Sequence, residues 1–266
     1  MVLNEALGQA VRDGLRMANP MNNVARPKKE QREVRVLDEE QMRLFLAEAK
    51  RSSQYHRLYL AAALTGMRQG ELLGLRWRDL DFTLGVASVQ QTFYRLNGKG
   101  IPEESKRLFK SPKSEKARRA VDLPAVLAEE LRTLRDEQAT LRKEFGPQYQ
   151  DNGLVFCQSD GKPLHAHNIV RRDFRRVLEL RRLRETLRTQ GVVEDSLPKP
   201  LPQIRFHDLR HSHATLLFRQ GEHPKVVQER LGHSTVSMTL DIYSHSVPGM
   251  QRRAAANLGE RLFGHT

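Results

Sequence analysis

The sequence predicts a mostly α-helical fold with a small antiparallel β-sheet. Three observations carry this. Apolar residues recur at helical spacing through most of the chain. Residues 81–93 read as a turn and a strand, and residues 117–123 alternate and read as its partner strand. Between those two, residues 94–116 are rich in Lys and Arg and read as a long hairpin connection. No internal repeat is present.

Taken in order, residues 3–17 place Leu3, Leu7, Ala10, Val11 and Leu15 on one helical face, and Asn19-Pro20 ends that helix. Residues 20–36 are polar and basic without a periodic apolar face, and read as a linker. The expected organisation is therefore 1–19 as the last helix of a truncated N-terminal domain, 20–36 as linker and 37–266 as the main domain. Asp38 followed by Gln41 makes a capping-box start, with Met42, Phe45, Leu46 and Ala49 as the buried face. Helices are expected at about 55–64, 69–75 and 125–145, and a short strand at 154–157. Further helices are expected at 167–185, 206–220, 223–232, 235–244 and 248–262. Residues 186–203, with Pro198, Pro200 and Pro202, read as a loop.

Composition narrows the function. Lys plus Arg number 45 against 32 Asp plus Glu in 266 residues, a formal charge of +13. A surplus of that size favours a polyanionic partner, nucleic acid first and an anionic membrane surface second. The single cysteine, Cys157, excludes an internal disulfide and suits a reducing compartment. The first fifteen residues have no basic-then-apolar pattern, so they are not a signal peptide. The longest apolar run, about Leu58 to Met67, is far short of the ~20 residues of a membrane span. A soluble, cytoplasmic protein is expected.

Three stretches carry chemistry: Leu64-Thr65-Gly66-Met67-Arg68-Gln69-Gly70-Glu71-Leu72, then His207-Asp208-Leu209-Arg210-His211, then Leu231-Gly232-His233-Ser234 with Tyr243 ten residues after His233. Arg68 and Arg210 could each offer a planar guanidinium fork to the two non-bridging oxygens of a phosphodiester. His207 and Arg210 are three apart and share a helical face. Two Arg, two His and a Tyr suit phosphoryl transfer to a phenol, with Arg charge stabilising the transition state and His moving protons near neutral pH. Each residue also has an ordinary reading. Arg68 could be a salt-bridge partner of Glu71, the His–Arg pair a solvated helix face, and Tyr243 a packing residue. His207, His211 and His213 could hint at metal, with His207 and His211 at i and i+4, but no acidic cluster or HExxH pattern completes such a site.

In this order, TGMRQGEL, HDLRHSHAT, LGHS and the following tyrosine resemble the tyrosine recombinase, or phage-type integrase, family over about residues 38–250. The resemblance implies that family's catalytic-domain fold and a site-specific DNA recombinase that cleaves and rejoins strands through a 3′-phosphotyrosine. It implies Arg68, Lys113, His207, Arg210, His233 and Tyr243 as catalytic residues. Lys113 follows from the likeness of SPKSEKARRAVDLP to the family's hairpin, with Lys110 and Lys116 close enough to compete for the role. Glu71 and Asp208 match the pattern as groups that orient the Arg and His side chains. In the implied mechanism Arg68 and Arg210 clamp the phosphate and His233 donates a hydrogen bond. Tyr243 attacks phosphorus with His207 as its proton acceptor, and Lys113 protonates the leaving 5′ oxygen. No cofactor or metal is expected, because the covalent link keeps the phosphodiester energy and the arginines supply the charge.

Arg118, Arg119, Arg171, Arg172, Arg175 and Arg176 are candidate DNA-backbone contacts, each with the ordinary alternative of a solvated charge. Double-stranded DNA, a homotetramer on DNA and a nucleoid location are the implied partners and place. The helix with Met250, Ala254, Leu258 and Leu262 either packs on its own domain or docks on a neighbour. A non-catalytic DNA-binding remnant and a metal-dependent nuclease are the competing readings.

Overall fold

The structure, a computed structural model, describes residues 2–24, 35–95, 107–111, 118–243 and 250–264. The chain divides into two units, Met1–Glu33 and Val34–Thr266. The first holds α1 (Val2–Arg12) and a short 3-10 turn, Pro20–Asn23, tied back to α1 by hydrogen bonds from the Asn19 amide to Asn4.

The second unit opens with α2 (Glu39–Ser52). Its start is the expected capping box: the Asp38 carboxylate accepts from the Gln41 N–H at 2.9 Å, and the Gln41 side chain accepts from the Asp38 N–H at 3.1 Å. Next come α3 (His56–Thr65) and the one-turn α4 (Gln69–Leu73). The turn and strand expected over 81–93 are present: β1 (Leu80–Asp81) leads into the turn, and the strand after it is in two parts, β2 (Val86–Ser88) and β3 (Thr92–Arg95). β2 pairs antiparallel with both β1 and β5 (Ala120–Asp122), in the register Ala87↔Val121. β3 pairs antiparallel with β4 (Arg107–Lys110), Phe93 opposite Phe109. Gly70 lets β3 lie directly on α4, because a Cβ there would sit 2.6 Å from a Thr92 methyl and 2.9 Å from the Phe93 carbonyl oxygen.

The long helix α5 (Ala125–Phe145) buries Leu127, Ala128 and Leu131. Residues 154–157, expected as a strand, supply only isolated bridges, Arg76↔Leu154 and Cys157↔Pro163. They are too short to form a ladder.

The helix expected over 167–185 is interrupted. It comprises α6 (Ala166–Asn168), a π-helical stretch Ile169–Phe174, α7 (Arg175–Leu178) and α8 (Arg181–Thr189), with Leu180 in the left-handed region at φ 54°. The cause lies far away in sequence. The buried Glu48 carboxylate of α2 accepts the N–H of Arg182 at 3.1 Å and of Leu183 at 2.6 Å, so it caps a new helix start. A left-handed leucine costs roughly 1–2 kcal/mol. Full burial of Leu180 offsets it.

The four last helices are α9 (Asp208–Gln220), α10 (Pro224–Leu231), α11 (Val236–Tyr243) and α12 (Met250–Phe263). The core that holds α2, α3 and the 169–178 stretch together is aromatic. Phe45, Tyr59 and Phe174 stand 5.4–5.6 Å apart by ring centroid, and Phe206 joins Phe174 at 5.7 Å. The Tyr59 hydroxyl donates to buried Asp173 at 2.8 Å. α9 lies across α3, and α11 packs on α9 and α10, which brings the sequence-distant stretches to one place. On α12, Leu258 and Leu262 are exposed rather than packed on this domain. Among the described residues no helix is long and apolar enough to cross a membrane.

Candidate active site

The centre is built on the C-terminal ends of two helices. α3 ends at Gly66 (φ 63°) and α10 at Gly232 (φ 65°), both left-handed caps. A side chain at Gly66 would meet the His213 ring at 2.6 Å and Leu231 at 2.8 Å; one at Gly232 would meet Arg119 at 2.8 Å. The tight caps turn backbone carbonyls toward the site, and arginines answer them. Arg210, from the first turn of α9, donates Nη1–H to the Gly66 oxygen at 2.7 Å and Nη2–H to the Leu231 oxygen at 2.6 Å. Arg68, at the start of α4, donates Nη2–H to the Gly232 oxygen at 3.3 Å and Nη1–H to Glu71 at 2.7 Å. Arg119, just before β5, donates Nε–H to the Arg230 oxygen at 2.8 Å. Cations belong at helix C-termini, where the aligned peptide dipoles leave negative charge.

Burial separates the arginines. Arg210 is 2% exposed, whereas the Arg68 side chain is 39% exposed. A guanidinium carries five N–H donors. Arg68 uses one on Glu71 and one on Gly232, so its fork still presents donors to solvent.

Glu71 is buried between two guanidinium groups. It accepts from Arg68 at 2.7 Å and, on both oxygens, from Arg119 at 3.2 and 2.9 Å. Burial alone would raise its carboxyl pKa, but the Arg119 hydrogen bonds and the charges of Arg119 and Arg68 outweigh it and pull it down to about 2. Glu71 is thus an anion that orients Arg68.

The histidines are neutral by placement. Burial, then the charges of Arg210 and Arg68, push His233 down to about 3. Its Nδ1 lies 2.8 Å from the Thr239 hydroxyl. With that hydroxyl donating, Nε2 carries the ring proton and can donate to an anion. His207 sits at the start of α9 with one side open to solvent. Burial of the rest of its ring and the charge of Arg210 lower its pKa. His211 packs edge-on against it at 5.1 Å and is pushed down to about 4 by burial and by His207. Asp208 is held by the Arg205 backbone N–H at 2.7 Å and guanidinium at 2.9 Å, and acts on His207 through charge alone.

Tyr243 is the last residue of α11, the helix packed on α9 and α10. Its side chain lies outside what the structure describes, as do Lys113 and Lys116. Lys110 is exposed on β4, opposite Thr92. Of the candidate DNA contacts, Arg118 is exposed beside a cleft of about 460 Å³ that also takes in Lys225, His233 and Ser234. Arg119 is turned inward. Arg171, Arg172 and Arg175 are exposed on the 169–178 stretch, and Arg176 is committed to Asp173 at 2.8 Å and the Ser52 carbonyl at 2.9 Å. Among the described residues no contact ties these four to the centre. A larger cleft of about 860 Å³, between Trp77, Phe109 and Arg135, contains none of the predicted site residues. Among the described residues no group of three or more His, Cys, Asp or Glu is placed to hold a metal ion.

Sequence reasoning missed the supporting set. His213 donates Nδ1–H to the Ala63 carbonyl at 2.8 Å and accepts from Arg230 Nε at 3.2 Å, while Arg230 also donates to the Leu64 carbonyl at 2.8 Å. The two partners fix the His213 tautomer, and the pair bolts α9 and α10 to the end of α3. Only the cluster of histidines around Arg210 hinted at it.

The model of the phage integrase family matches residues 35–249, and the chain belongs to that family. It is 31% identical over 235 residues to the tyrosine recombinase XerC-like protein of Caldanaerobacter subterraneus subsp. tengcongensis, covering 86% of this chain and 54% of that protein. It is 27% identical to the ICEBs1 integrase of Bacillus subtilis, covering 98% of this chain and 64% of that one. The chain thus spans roughly half to two thirds of the length of these relatives. In fold it is similar to the Tn1549 transposon integrase in complex with transposon right end DNA (TM-score 0.64, 22% identity, 97% of this chain and 76% of that one). It is also similar to a lambda integrase tetramer bound to a Holliday junction (TM-score 0.56, 18% identity, 90% and 56%).

Proposed function

We propose that this chain is the strand-transfer part of a site-specific DNA recombinase, an integrase of a mobile element, working through a 3′-phosphotyrosine. The observation that carries the reading is the convergence of Arg68, Arg210 and neutral His233 on the ends of α3 and α10, beside the helix that ends in Tyr243. Arg68 and Arg210 hold the scissile phosphate and balance the charge of its transition state, with the His233 N–H adding a third donor. The Tyr243 phenol attacks phosphorus, giving its proton to His207 as the tyrosine–phosphorus bond forms. The bond to the 5′ oxygen breaks, and that oxygen takes a proton from Lys113. A 5′ hydroxyl of a second strand then reverses the sequence and reseals the backbone.

Arg118, Arg171, Arg172 and Arg175 hold flanking phosphates. The working assembly is a tetramer on duplex DNA, and the exposed Leu258 and Leu262 of α12 suit docking between protomers. The chain acts in the cytoplasm, at the nucleoid.

The test is a nicked duplex carrying the recombination site, incubated with the protein in chelator and resolved on a denaturing gel. A covalent protein–DNA adduct is expected, and it should vanish in Tyr243→Phe. DNA binding without an adduct would overturn the catalytic reading in favour of a DNA-binding remnant.

A further inference from the structure

Arg119 is the residue whose placement the charge pattern of the sequence least anticipates. It stands at the end of a basic run, next to exposed Arg118, yet its side chain is only 7% exposed. The sheet decides this. The Arg119 carbonyl accepts the Val89 N–H at 2.8 Å, continuing the β2–β5 ladder, so neighbouring side chains take opposite faces. Both arginines line the cleft of about 460 Å³, but Arg118 is exposed while the Arg119 side chain reaches inward to Glu71.

There Arg119 makes three hydrogen bonds to two structures. Nη1 and Nη2 form a fork on the two oxygens of Glu71, and Nε–H reaches the Arg230 carbonyl at the end of α10. The next two carbonyls of the chain, Leu231 and Gly232, accept from Arg210 and Arg68. Three consecutive carbonyls thus hold three guanidiniums, and Arg119 is the one whose fork closes on both oxygens of Glu71. It also fills the space that a side chain at Gly232 would need.

We propose that Arg119 is a positioning residue for strand transfer, holding the Glu71 carboxylate so that Arg68 keeps its free donors and its charge for the phosphate. This rests on the recombinase reading above. The electrostatics follow simply. With Arg68, Arg119, Arg210 and Glu71 the centre carries a net charge of plus two. Without Arg119 it falls to plus one, and of the two guanidiniums that bind the buried carboxylate among the described residues Arg68 alone remains. Glu71 then pulls the Arg68 fork inward and opposes the negative phosphate. Lysine is no substitute, because a single ammonium cannot fork a carboxylate and reach a carbonyl on the far side.

The experiment measures single-turnover adduct formation on the nicked duplex at saturating protein, together with duplex affinity and cooperative melting. It compares the full chain with Arg119→Ala, Arg119→Lys, Glu71→Gln and the double variant Arg119→Ala/Glu71→Gln. The adduct rate of Arg119→Ala is expected to fall about 100-fold, the size of losing an aligned transition-state charge. Duplex affinity should stay within about threefold, since no phosphate contact is lost. Arg119→Lys should recover little. Adding Glu71→Gln should restore the rate at least about tenfold over Arg119→Ala, because it removes the unbalanced carboxylate. A merely structural arginine would give the opposite sign, the double variant being no better than Arg119→Ala. That result, or a wild-type rate in Arg119→Ala, overturns the proposal. If Arg119→Ala does not melt cooperatively, the same comparison is made with Arg119→Lys with and without Glu71→Gln. A wild-type chain that melts normally but makes no adduct overturns the recombinase reading, and this proposal with it.

Discussion

The arginines at the ends of α3 and α10 and the arginines of the 169–178 stretch carry the same side chain in opposite surroundings. Arg210 and Arg119 are buried, and carbonyls or a carboxylate define their direction. Arg171, Arg172 and Arg175 are exposed on a helical surface, with no ion pair among the described residues. A buried guanidinium is expensive unless it is hydrogen-bonded, and the centre supplies acceptors in backbone carbonyls whose positions the helix caps fix and in the Glu71 carboxylate. An exposed guanidinium keeps its solvation and its rotamers. It adds to affinity without defining geometry. On the proposed recombinase reading, one set selects a phosphate geometry and the other raises the local attraction for a polyanion.

The sharpest way to break this contrast is Arg210→Ala. Strand cleavage should drop about 10²–10³-fold. The unpartnered carbonyls of Gly66 and Leu231 should cost a further 1–3 kcal/mol of stability, read as a fall in Tm. An Arg210→Ala chain with normal cleavage and unchanged Tm would show that the buried set is not the centre.

A comparison of two left-handed caps comes next. Gly232→Ala meets both the backbone penalty and the Arg119 guanidinium at 2.8 Å, whereas Gly221→Ala, at φ 92°, meets the backbone penalty alone, with open space around it. Each should lose roughly 1–2 kcal/mol from the left-handed backbone. Gly232→Ala should lose more than that, and should also lose cleavage. Equal losses in urea unfolding would mean that Arg119 yields easily and does not define the site.

Acid titration tests the neutral histidines. His213 and His233 are held down at about 3 and His211 at about 4, against an ordinary 6.5. The unfolded chain binds more protons than the native one below 6.5, so stability should fall as pH drops below about 6.5 and keep falling until about 3–4. The slope is roughly 1.4 kcal/mol per pH unit for each fully buried histidine. The lowered Glu71 acts only further down, its contribution fading between 4.5 and about 2. Urea midpoints at pH 7 and pH 5 should therefore differ, and His213→Phe should reduce the difference. A flat profile would show that these rings are protonated in the folded state.

The smallest effects belong to the exposed set. Arg171→Ala, Arg172→Ala and Arg175→Ala should each change stability by less than about 0.5 kcal/mol. Each that touches a phosphate should lower the salt slope of duplex binding by about 0.9. A slope unchanged by all three would remove this stretch from the DNA interface.

How much of this was legible beforehand depended on how far each determinant lies along the chain. The start of α2 was legible because its capping box spans only Asp38 to Gln41. The local settings of Arg68, Arg210 and His233 were legible because each motif pairs the residue with the glycine or helix start beside it. The break at Leu180 was not, since its cause is a carboxylate on α2, and nothing between 167 and 185 records it. The inward turn of Arg119 was not either. Arg118 and Arg119 read alike as basic residues, and only the pairing of β5 with β2 assigns them to opposite faces.

By itself, then, the sequence determined the helices with local caps, the presence of a small sheet, the basic character and the residue types that can perform phosphoryl transfer. These follow from periodicity, capping and side-chain chemistry, all of which act over a few residues. The tertiary structure alone decided which arginines are buried, which carbonyls and carboxylate they meet, and which histidines are held neutral. Burial and charge pairing depend on groups brought together from positions as far apart as Arg68 and Gly232.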